Sequence, residues 1–462
     1  MAIFNEGGNG VKGSSFVELN TDPCKMCMPM GVSTAMAGIK NCMTILHGSQ
    51  GCATYIRRHM ATHYNEPVDI ASSSLTEQGT VYGGEANLLK GLKNTIDLYH
   101  PDVIGVATTC LAETIGEDTS AAVQKFLEQN PDSNVKIVTV ASPGYGGTQN
   151  EGYFAALRAI VEQNASRTLE QTGFINVITP LLSPADTRWL KAELERSKLD
   201  YILLPDISDN LDGVTAAKYE RLKSGGTDIK DIARMGSAAM TIELSDTIKP
   251  DLSPGQYLKD KFGVPLVKLP PPIGIRNIRK FLATMGISPD ATVEGRYLDA
   301  MVDNHKYCAK AQVAIFGEPD FVKAVVSLCC ENGAVPRVIA TGSRCPEIRE
   351  LFSEAKICTD NVFAPPPIIL DDTDFDAIER AVIESGVNLL IGSSDGRRIA
   401  SKLGIELIRC AFPIHDRIGG ARIRTLGFEG SLWLIDSIAN AMLKRTEESF
   451  REELYNAYYQ YA

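Results

Sequence analysis

The sequence predicts an α/β protein built from three doubly wound units, each with a parallel sheet. Short apolar runs rich in β-branched residues alternate with segments whose apolar residues recur at helical spacing. This is the pattern of strands joined by crossover helices. It occurs three times along 462 residues, a length that suggests about three domains of roughly 150 residues each. The three units share this pattern but no repeat that can be aligned.

The first unit is predicted to contain alternating helices and strands after a loose arm over residues 1–20. They are a helix over Ala53–His63, an amphipathic helix over Glu85–Leu98, a strand over Val103–Ala107, a helix over Glu113–Leu127 and a strand over Val135–Ala141. Functional sites in such sheets lie at the carboxyl ends of strands. Cys110 and Gly144 both fall just after predicted strands, so we expect the site there.

The second and third units continue the alternation. In the second, strands are predicted over Phe174–Thr179, Tyr201–Leu204 and Val264–Leu269, with a helix over Asp186–Glu195. In the third, strands are predicted over Val313–Gly317, Arg337–Ala340, Leu389–Ile391 and Glu406–Ile408, with helices over Asp320–Asn332 and Gly430–Tyr455. The last of these helices is long and partly charged.

Composition and charge argue against several classes of protein. An apolar content of 44% and a charged content of 22% are ordinary for a globular protein with a large core. The net charge of −11 disfavours nucleic acid or an anionic membrane as a partner. No apolar run reaches the roughly 20 residues that span a bilayer, and Met1–Lys12 has no apolar signal-peptide core. We therefore expect a cytoplasmic protein, whose eleven cysteines do not form a disulfide framework.

Three cysteines stand in separate loops that glycines flank or that follow a predicted strand. Cys27 and Cys52 are 25 residues apart, and Cys110 follows 58 residues later, which matches neither zinc-finger nor ferredoxin spacing. Soft thiolates suit iron–sulfur clusters or zinc. Three ligands from three loops predict a site at a domain or subunit edge that something else completes.

The motifs around these cysteines, in their order along the chain, resemble the β-type subunit of the nitrogenase component 1 family. They are Cys27-Met-Pro-Met-Gly, His47-Gly-Ser-Gln-Gly-Cys52, His63-Tyr-Asn-Glu-Pro67, Tyr82-Gly-Gly, Thr108-Thr-Cys-Leu-Ala-Glu-Thr-Ile-Gly-Glu-Asp118 and Phe412-Pro-Ile-His-Asp-Arg417. The resemblance spans nearly the whole chain and implies three Rossmann-like domains. We place them at 1–165, 166–290 and 291–462, with the cluster cysteines in the first and the long terminal helix in the last.

The resemblance also implies cofactors and partners. Cys27, Cys52 and Cys110 would hold half of a P-cluster-like 8Fe-7S cluster shared with an α-type subunit in an α2β2 heterotetramer. A larger iron–sulfur cofactor is expected in that partner subunit. A separate, ATP-dependent iron protein would dock transiently and deliver electrons. Tyr82, before Gly83 and Gly84, matches an aromatic position that the iron protein covers in the family.

Four departures from the molybdenum nitrogenase β subunit are visible. The long N-terminal extension of that subunit has no counterpart before Cys27, Cys24 is an additional cysteine, and His415 replaces an aromatic residue. Gly144 stands where that subunit has a serine that can ligate the oxidised cluster. We therefore expect a nitrogenase-like reductase acting on a small molecule other than dinitrogen, such as a methylthio-alkane reductase cleaving carbon–sulfur bonds.

Two alternatives stay open within the family. One is the β-type subunit of the cofactor-assembly scaffold, which typically keeps only the cysteine matching Cys52. The other is a nitrogenase β subunit that reduces dinitrogen. A third reading, a nucleotide-binding protein of three domains, is disfavoured because the glycine-rich loops lack a Walker lysine and the Gly-x-Gly-x-x-Gly order.

The remaining cysteines and histidines have structural interpretations. Cys24 is expected to be a packed or solvent-facing thiol rather than a ligand. Core or structural roles are expected for Cys42, Cys308, Cys329, Cys330, Cys345, Cys358 and Cys410. His47 is expected to stiffen the cluster loop through hydrogen bonds. His59 and His63 lie four residues apart but lack the metalloprotease glutamate, so a surface or interface role is favoured.

Overall fold

A computed structural model describes residues 22–167, 173–215, 220–351, 353 and 366–458. The predicted arm over residues 1–20 and Cys358 lie outside the described residues. The chain divides into two compact units. One comprises Lys25–Pro270 with Pro413–Ile423, and the other comprises Pro271–Phe412 with the chain from Arg424 and the residues up to Cys24. Three parallel sheets confirm the predicted α/β class.

The first sheet carries the cysteine loops. Its strands are β1 (Cys42–His47), β2 (Ile70–Ser72), β3 (Val103–Thr108) and β4 (Lys136–Val140), in the order β2-β1-β3-β4. The helices around it are α1 (Met28–Ala37), α2 (Gln50–Tyr64), α3 (Glu77–Tyr82), α4 (Glu85–Tyr99), α5 (Cys110–Thr114), α6 (Thr119–Gln129) and α7 (Gln149–Asn164). Every residue of β3 is buried, as expected for a central strand covered on both faces.

The second sheet completes the same compact unit. Its strands are β5 (Ile175–Ile178), β6 (Tyr201–Leu204), β7 (Met240–Glu243) and β8 (Leu266–Lys268), in the order β6-β5-β7-β8. Its helices are α8 (Pro184–Ser197), α9 (Ile229–Arg234) and α10 (Pro254–Phe262). Ser183 and Ser253 cap α8 and α10 with their hydroxyls, each followed by the proline that begins its helix.

The third sheet belongs to the other compact unit. Its strands are β9 (Gln312–Phe316), β10 (Val335–Ala340), β11 (Ile368–Leu370), β12 (Leu389–Gly392) and β13 (Glu406–Arg409), in the order β11-β10-β9-β12-β13. Its helices are α11 (Ile275–Thr284), α12 (Ala291–Cys308), α13 (Pro319–Glu331), α14 (Phe375–Glu384), α15 (Arg397–Leu403) and α16 (Gly427–Tyr458). Within the part of the chain that the structure describes, no helix has the length and apolarity of a membrane span.

One predicted helix is wrong in a way that matters for the site. The expected helix over Glu113–Leu127 is two helices, α5 and α6. Gly116 between them has a positive φ of 76°, which interrupts a right-handed helix, and the carboxylate of Asp118 accepts from the amide of Ala121 to cap α6. The three sheets each fall within one predicted domain, whereas the domain boundaries at 165 and 290 stay predictions.

Candidate metal-cluster site

Cys52 and Cys110 follow strands β1 and β3 at the carboxyl edge of the first sheet, and Cys27 pairs with Thr148 in the loop after β4. Each of the three cysteines lies at the start of a helix. Cys27 is the residue that precedes α1, Cys52 lies in the first turn of α2, and Cys110 is the first residue of α5. Amide groups at a helix start are free of intrahelical partners and favour negative charge. Each cysteine therefore lies beside backbone amides at the start of a helix.

Short contacts join the loops of Cys27 and Cys110, and Cys52 lies near Cys27. The amide of Gly144, in the loop after β4, donates a hydrogen bond of 3.1 Å to the sulfur of Cys110. A Cβ atom on Gly144 would lie 3.1 Å from that sulfur and 3.3 Å from the Cβ of Cys27. The thiol of Cys52 is close enough for its charge to act on that of Cys27. The structure thus brings together the three predicted ligands from distant parts of the sequence.

The electrostatics of the cysteine group suit a cation. Desolvation raises the pKa of the Cys27 thiol most, negative charge on Cys52 and Cys110 raises it further, and the amide of Met30 lowers it. Three neighbouring thiolates therefore oppose one another unless a positive group lies between them. Metal binding would remove that repulsion and release the thiol protons.

The three thiols are soft ligands of the kind that iron–sulfur clusters use. Across the described ranges, no three Cys, His, Asp or Glu side chains are grouped closely enough to hold one metal ion. A multi-iron cluster binds its thiolates through different irons, so its cysteines stand further apart. Cys27 and Cys110 are exposed residues and Cys52 is half-buried in this chain, so the cysteine loops lie at the surface of the described chain.

Close helix packing sets the position of Cys27. A Cβ on Gly31 of α1 would lie 1.8 Å from the carbonyl oxygen of Gln149, and one on Gly152 of α7 would lie 2.1 Å from that of Met28. The two glycines therefore let α1 and α7 approach backbone to backbone. The amide of Gln149 also donates to the carbonyl of Met26 at 2.9 Å, which anchors the residue before Cys27.

A second tight contact joins the loops of Cys52 and Cys110. The amide of Thr109 donates to the carbonyl of His47 at 3.1 Å. A Cβ on Gly48 would lie 1.9 Å from the hydroxyl oxygen of Thr109. Only glycine fits in the His47-Gly-Ser-Gln-Gly-Cys52 turn at this point, so the turn packs directly on the residue before Cys110.

His47 forms the hydrogen bonds that the sequence predicted. It is fully buried at the end of β1, and its Nδ1 lies 2.9 Å from the hydroxyl oxygen of Ser73, which also accepts from the amide of Gly48 at 3.0 Å. Burial lowers the pKa of His47, and the nearby carboxylate of Glu117 opposes that shift. The imidazole is therefore neutral at pH 7 and stiffens the turn through its contact with Ser73.

Glu117 and Ser73 are site residues that the sequence analysis missed. Ser73 sits in a run of three serines, and Glu117 follows the interruption between α5 and α6. The structure also places Tyr82 apart from these buried groups, at the end of α3 with 84% of its surface exposed. That exposure is compatible with the predicted docking role, which stays a prediction.

Four other histidine and cysteine predictions have definite outcomes. His63 is buried, so the surface part of its predicted surface or interface role is wrong. Residues 413–423 return over α2, and the amide of Ile414 donates to Nδ1 of His63 at 2.9 Å. Cys24 is half-buried and packs on the core of the third sheet, in agreement with a packed thiol. Cys329 is buried as predicted, whereas Cys330 takes part in a disulfide rather than in core packing alone.

Comparisons with known proteins identify the family of the chain. The family model described as nitrogenase component 1 type oxidoreductase matches residues 27–443. The chain is 33% identical over 447 residues to the nitrogenase molybdenum-iron protein beta chain of Clostridium pasteurianum, covering 94% of this chain and 96% of that relative. It is also 33% identical over 447 residues to the nitrogenase vanadium-iron protein beta chain of Trichormus variabilis, covering 92% and 94%.

A solved structure also matches this chain over nearly its whole length. A chain of the structure titled nitrogenase Cp1 at pH 6.5 matches with a TM-score of 0.88 and 31% identity, covering 94% of this chain and 96% of that one. The chain therefore belongs to the nitrogenase component 1 family of oxidoreductases. Within that family it is a β-type subunit, because the relatives that it matches over nearly their whole length are beta chains.

Proposed function

We propose that this chain is the electron-relay subunit of a nitrogenase-like reductase. Its three cysteines hold half of a P-cluster-like 8Fe-7S cluster at the interface with an α-type subunit. The cluster supplies one-electron transfer between an ATP-dependent iron protein and a larger iron–sulfur cofactor in the α-type subunit. The convergence of Cys27, Cys52 and Cys110 at an open edge of the first sheet supports this proposal most directly.

The surface around the cysteines supports a partner subunit. Tyr55, three residues after Cys52, is 64% exposed, and Tyr145, directly after Gly144, is 68% exposed. Large apolar side chains beside exposed thiols form a surface that a partner protein covers. An α-type subunit that buries this surface would also complete the ligand set, and the family arrangement is an α2β2 heterotetramer.

The chain's own residues tune and protect the thiolates. The amides of Gly144 and Met30 interact with the sulfurs of Cys110 and Cys27, and such N–H···S bonds lower the cost of negative charge on sulfur. Burial of the His47 ring and the close contact of Gly48 with Thr109 fix the loops. These contacts hold the three cysteine loops in place.

The proposed substrate depends on one position, Gly144. Gly144 offers no hydroxyl where the molybdenum nitrogenase β subunit has a serine, so oxygen ligation from this position is absent. We take a small methylthio compound, reduced to methanethiol and a hydrocarbon, as the substrate ahead of dinitrogen. The similarity to both molybdenum-iron and vanadium-iron beta chains keeps dinitrogen reduction as the second candidate.

Headspace analysis tests this assignment. The complex purified with its α-type subunit receives its iron protein, ATP and dithionite, with dimethyl sulfide, acetylene and dinitrogen offered in separate vials. Methanethiol and methane from dimethyl sulfide support the proposal, and ammonia from dinitrogen replaces it with a nitrogenase β subunit. Reduction of none of the three, together with transfer of a cofactor to an apo-reductase, identifies the assembly scaffold instead.

A further inference from the structure

Glu117 has a nearly buried carboxylate, and the proposed electron transfer assigns it no role. Its side chain is 11% exposed, and one of its oxygens accepts a hydrogen bond of 2.5 Å from the amide of Gly84. The other oxygen lies 3.5 Å from Nε2 of His47, longer than a normal N–H···O hydrogen bond but close for a carboxylate beside an imidazole. One side chain therefore bridges the loop after Tyr82 and the end of β1.

The loop side of this bridge is sterically defined. Gly83 has a positive φ of 96°, a backbone conformation that favours glycine. A Cβ on Gly84 would lie 2.5 Å from the side chain of Leu75 and 3.1 Å from Cε1 of His47. The two glycines thus allow the backbone after Tyr82 to lie against buried side chains, and the carboxylate of Glu117 fixes it there.

The cysteine side of the bridge is defined by hydrogen bonds. The carbonyl of His47 accepts from the amide of Thr109, the residue before Cys110. The amide of Glu117 itself donates to the carbonyl of Ala112 at 3.1 Å, within the helix that begins at Cys110. Glu117 is therefore joined to the Cys110 segment both through its own backbone and through His47.

We propose that Glu117 is a positioning residue that fixes the loop of Tyr82 relative to the loops of Cys52 and Cys110. This inference rests on the proposed function, in which the iron protein docks on Tyr82. The docking surface and the cluster ligands then share one hydrogen-bonded frame, so the distance between a docked donor and the cluster is set by the Glu117 carboxylate. Loss of the carboxylate misplaces the docking loop while the cysteines remain available for cluster binding.

The test compares Glu117→Ala and Glu117→Gln in the intact complex. Removal of a buried acceptor leaves the amide of Gly84 without its partner, and we expect the KM for the iron protein to rise about tenfold in Glu117→Ala. Glu117→Gln keeps an acceptor for that amide and is expected to recover most of the loss. Glu128→Ala removes an exposed carboxylate from the neighbouring helix α6 and serves as the matched control.

Two further readouts separate positioning from a purely structural role. Iron content and the reduction of the cluster by dithionite without iron protein are expected to stay at wild-type levels in both Glu117 variants. Tyr82→Ala is expected to raise the same KM. The KM of the double variant Tyr82→Ala/Glu117→Ala is expected to be no higher than the higher of the two single-variant values, because both changes act on one loop.

Each outcome decides one claim. If Tyr82→Ala leaves the KM unchanged, the docking role of Tyr82 fails whatever Glu117 does. If Tyr82→Ala raises the KM but Glu117→Ala matches wild type, or the two effects multiply, the positioning role of Glu117 is overturned. Loss of iron in both Glu117→Ala and Glu117→Gln also overturns it, because the carboxylate would then serve the cluster loops and not the docking loop.

Discussion

The first and third sheets both end in a row of parallel strand ends, but different side chains lie at these two edges. In the third sheet, a Cβ on Gly392 at the end of β12 would lie 2.3 Å from the ring of Phe316, and that ring packs edge-on against Phe375 at 5.4 Å. Aromatic rings fill this edge. In the first sheet, Gly48 packs on the small side chain of Thr109, and the edge stays open for thiols.

The difference shows what makes a cysteine a candidate ligand in this chain. Cys345 follows β10 in the third sheet but is 4% exposed, and burial raises the pKa of its thiol, with Glu347 adding to the effect. Cys27 and Cys110 are exposed and face other thiols. Position at a strand end is common to Cys345 and Cys110, so the open edge and the neighbouring thiols distinguish the site.

The largest predicted effect comes from Gly31→Ala, which tests whether helix packing creates the open site. The new methyl group would meet the carbonyl oxygen of Gln149 at 1.8 Å, so α1 must move away from α7 and carry Cys27 with it. We expect loss of bound iron and poor solubility. Iron analysis of the anaerobic complex and the fraction of the protein that stays in solution measure the two effects.

Gly392→Ala is the matched change in the third sheet. Its methyl group would meet the ring of Phe316 at 2.3 Å, and we expect a stability loss of about 1–3 kcal/mol from overpacking. Iron bound per complex stays at the wild-type level at low temperature. Equal loss of iron in both glycine variants would show that the open edge depends on the whole chain and not on the packing of α1.

The next largest effect is expected for Cys110→Ala, with Cys345→Ala as its counterpart in the third sheet. Removal of one of three thiolates on this side of an interface cluster lowers the iron content below the roughly eight irons expected per interface. ATP-driven reduction is weakened or abolished, whereas Cys345→Ala retains both. Unchanged iron and activity in Cys110→Ala would remove Cys110 from the ligand set.

A moderate effect is expected for Tyr82→Ala. Exposed aromatic anchors often dominate the binding energy of an interface, so ATP-dependent electron transfer is expected to slow about tenfold while the cluster spectrum is retained. Tyr455→Ala removes a tyrosine that is 60% exposed in the other compact unit and controls for the loss of surface area. Equal turnover in wild type and Tyr82→Ala would end the docking role.

The sequence predicted the long elements and the cysteine loops because their signals are local. The β-branched run of β3 and the apolar spacing of α4 specify their structure without help from the rest of the fold. Strand β1 was not predicted, since Cys42-Met-Thr-Ile-Leu-His47 has few β-branched residues and becomes a strand through pairing with β3. Glu117 and Ser73 were missed because their roles depend on contacts between loops far apart in sequence.

The smallest predicted effect is a pH dependence of the folding stability of the compact unit that contains the first sheet. Burial lowers the pKa of His63 to about 4, the charge of His415 lowers it further, and the hydrogen bond to the backbone of Ile414 opposes the shift. The unfolded chain binds a proton near pH 6.5 and the folded chain does not, so stability falls as the pH drops below about 6.5. Between pH 7 and pH 5.5 the loss is about 1 kcal/mol.

His63→Gln separates this contribution from that of the other titrating groups. The glutamine carbonyl can accept from the amide of Ile414 but does not titrate, so the melting temperature of the variant should fall less than that of wild type between pH 7 and pH 5.5. The difference should lie in the unit that contains the first sheet and residues 413–423. Hydrogen exchange at Ile414 locates it, and identical exchange profiles for the two proteins at pH 5.5 would contradict the assignment to His63.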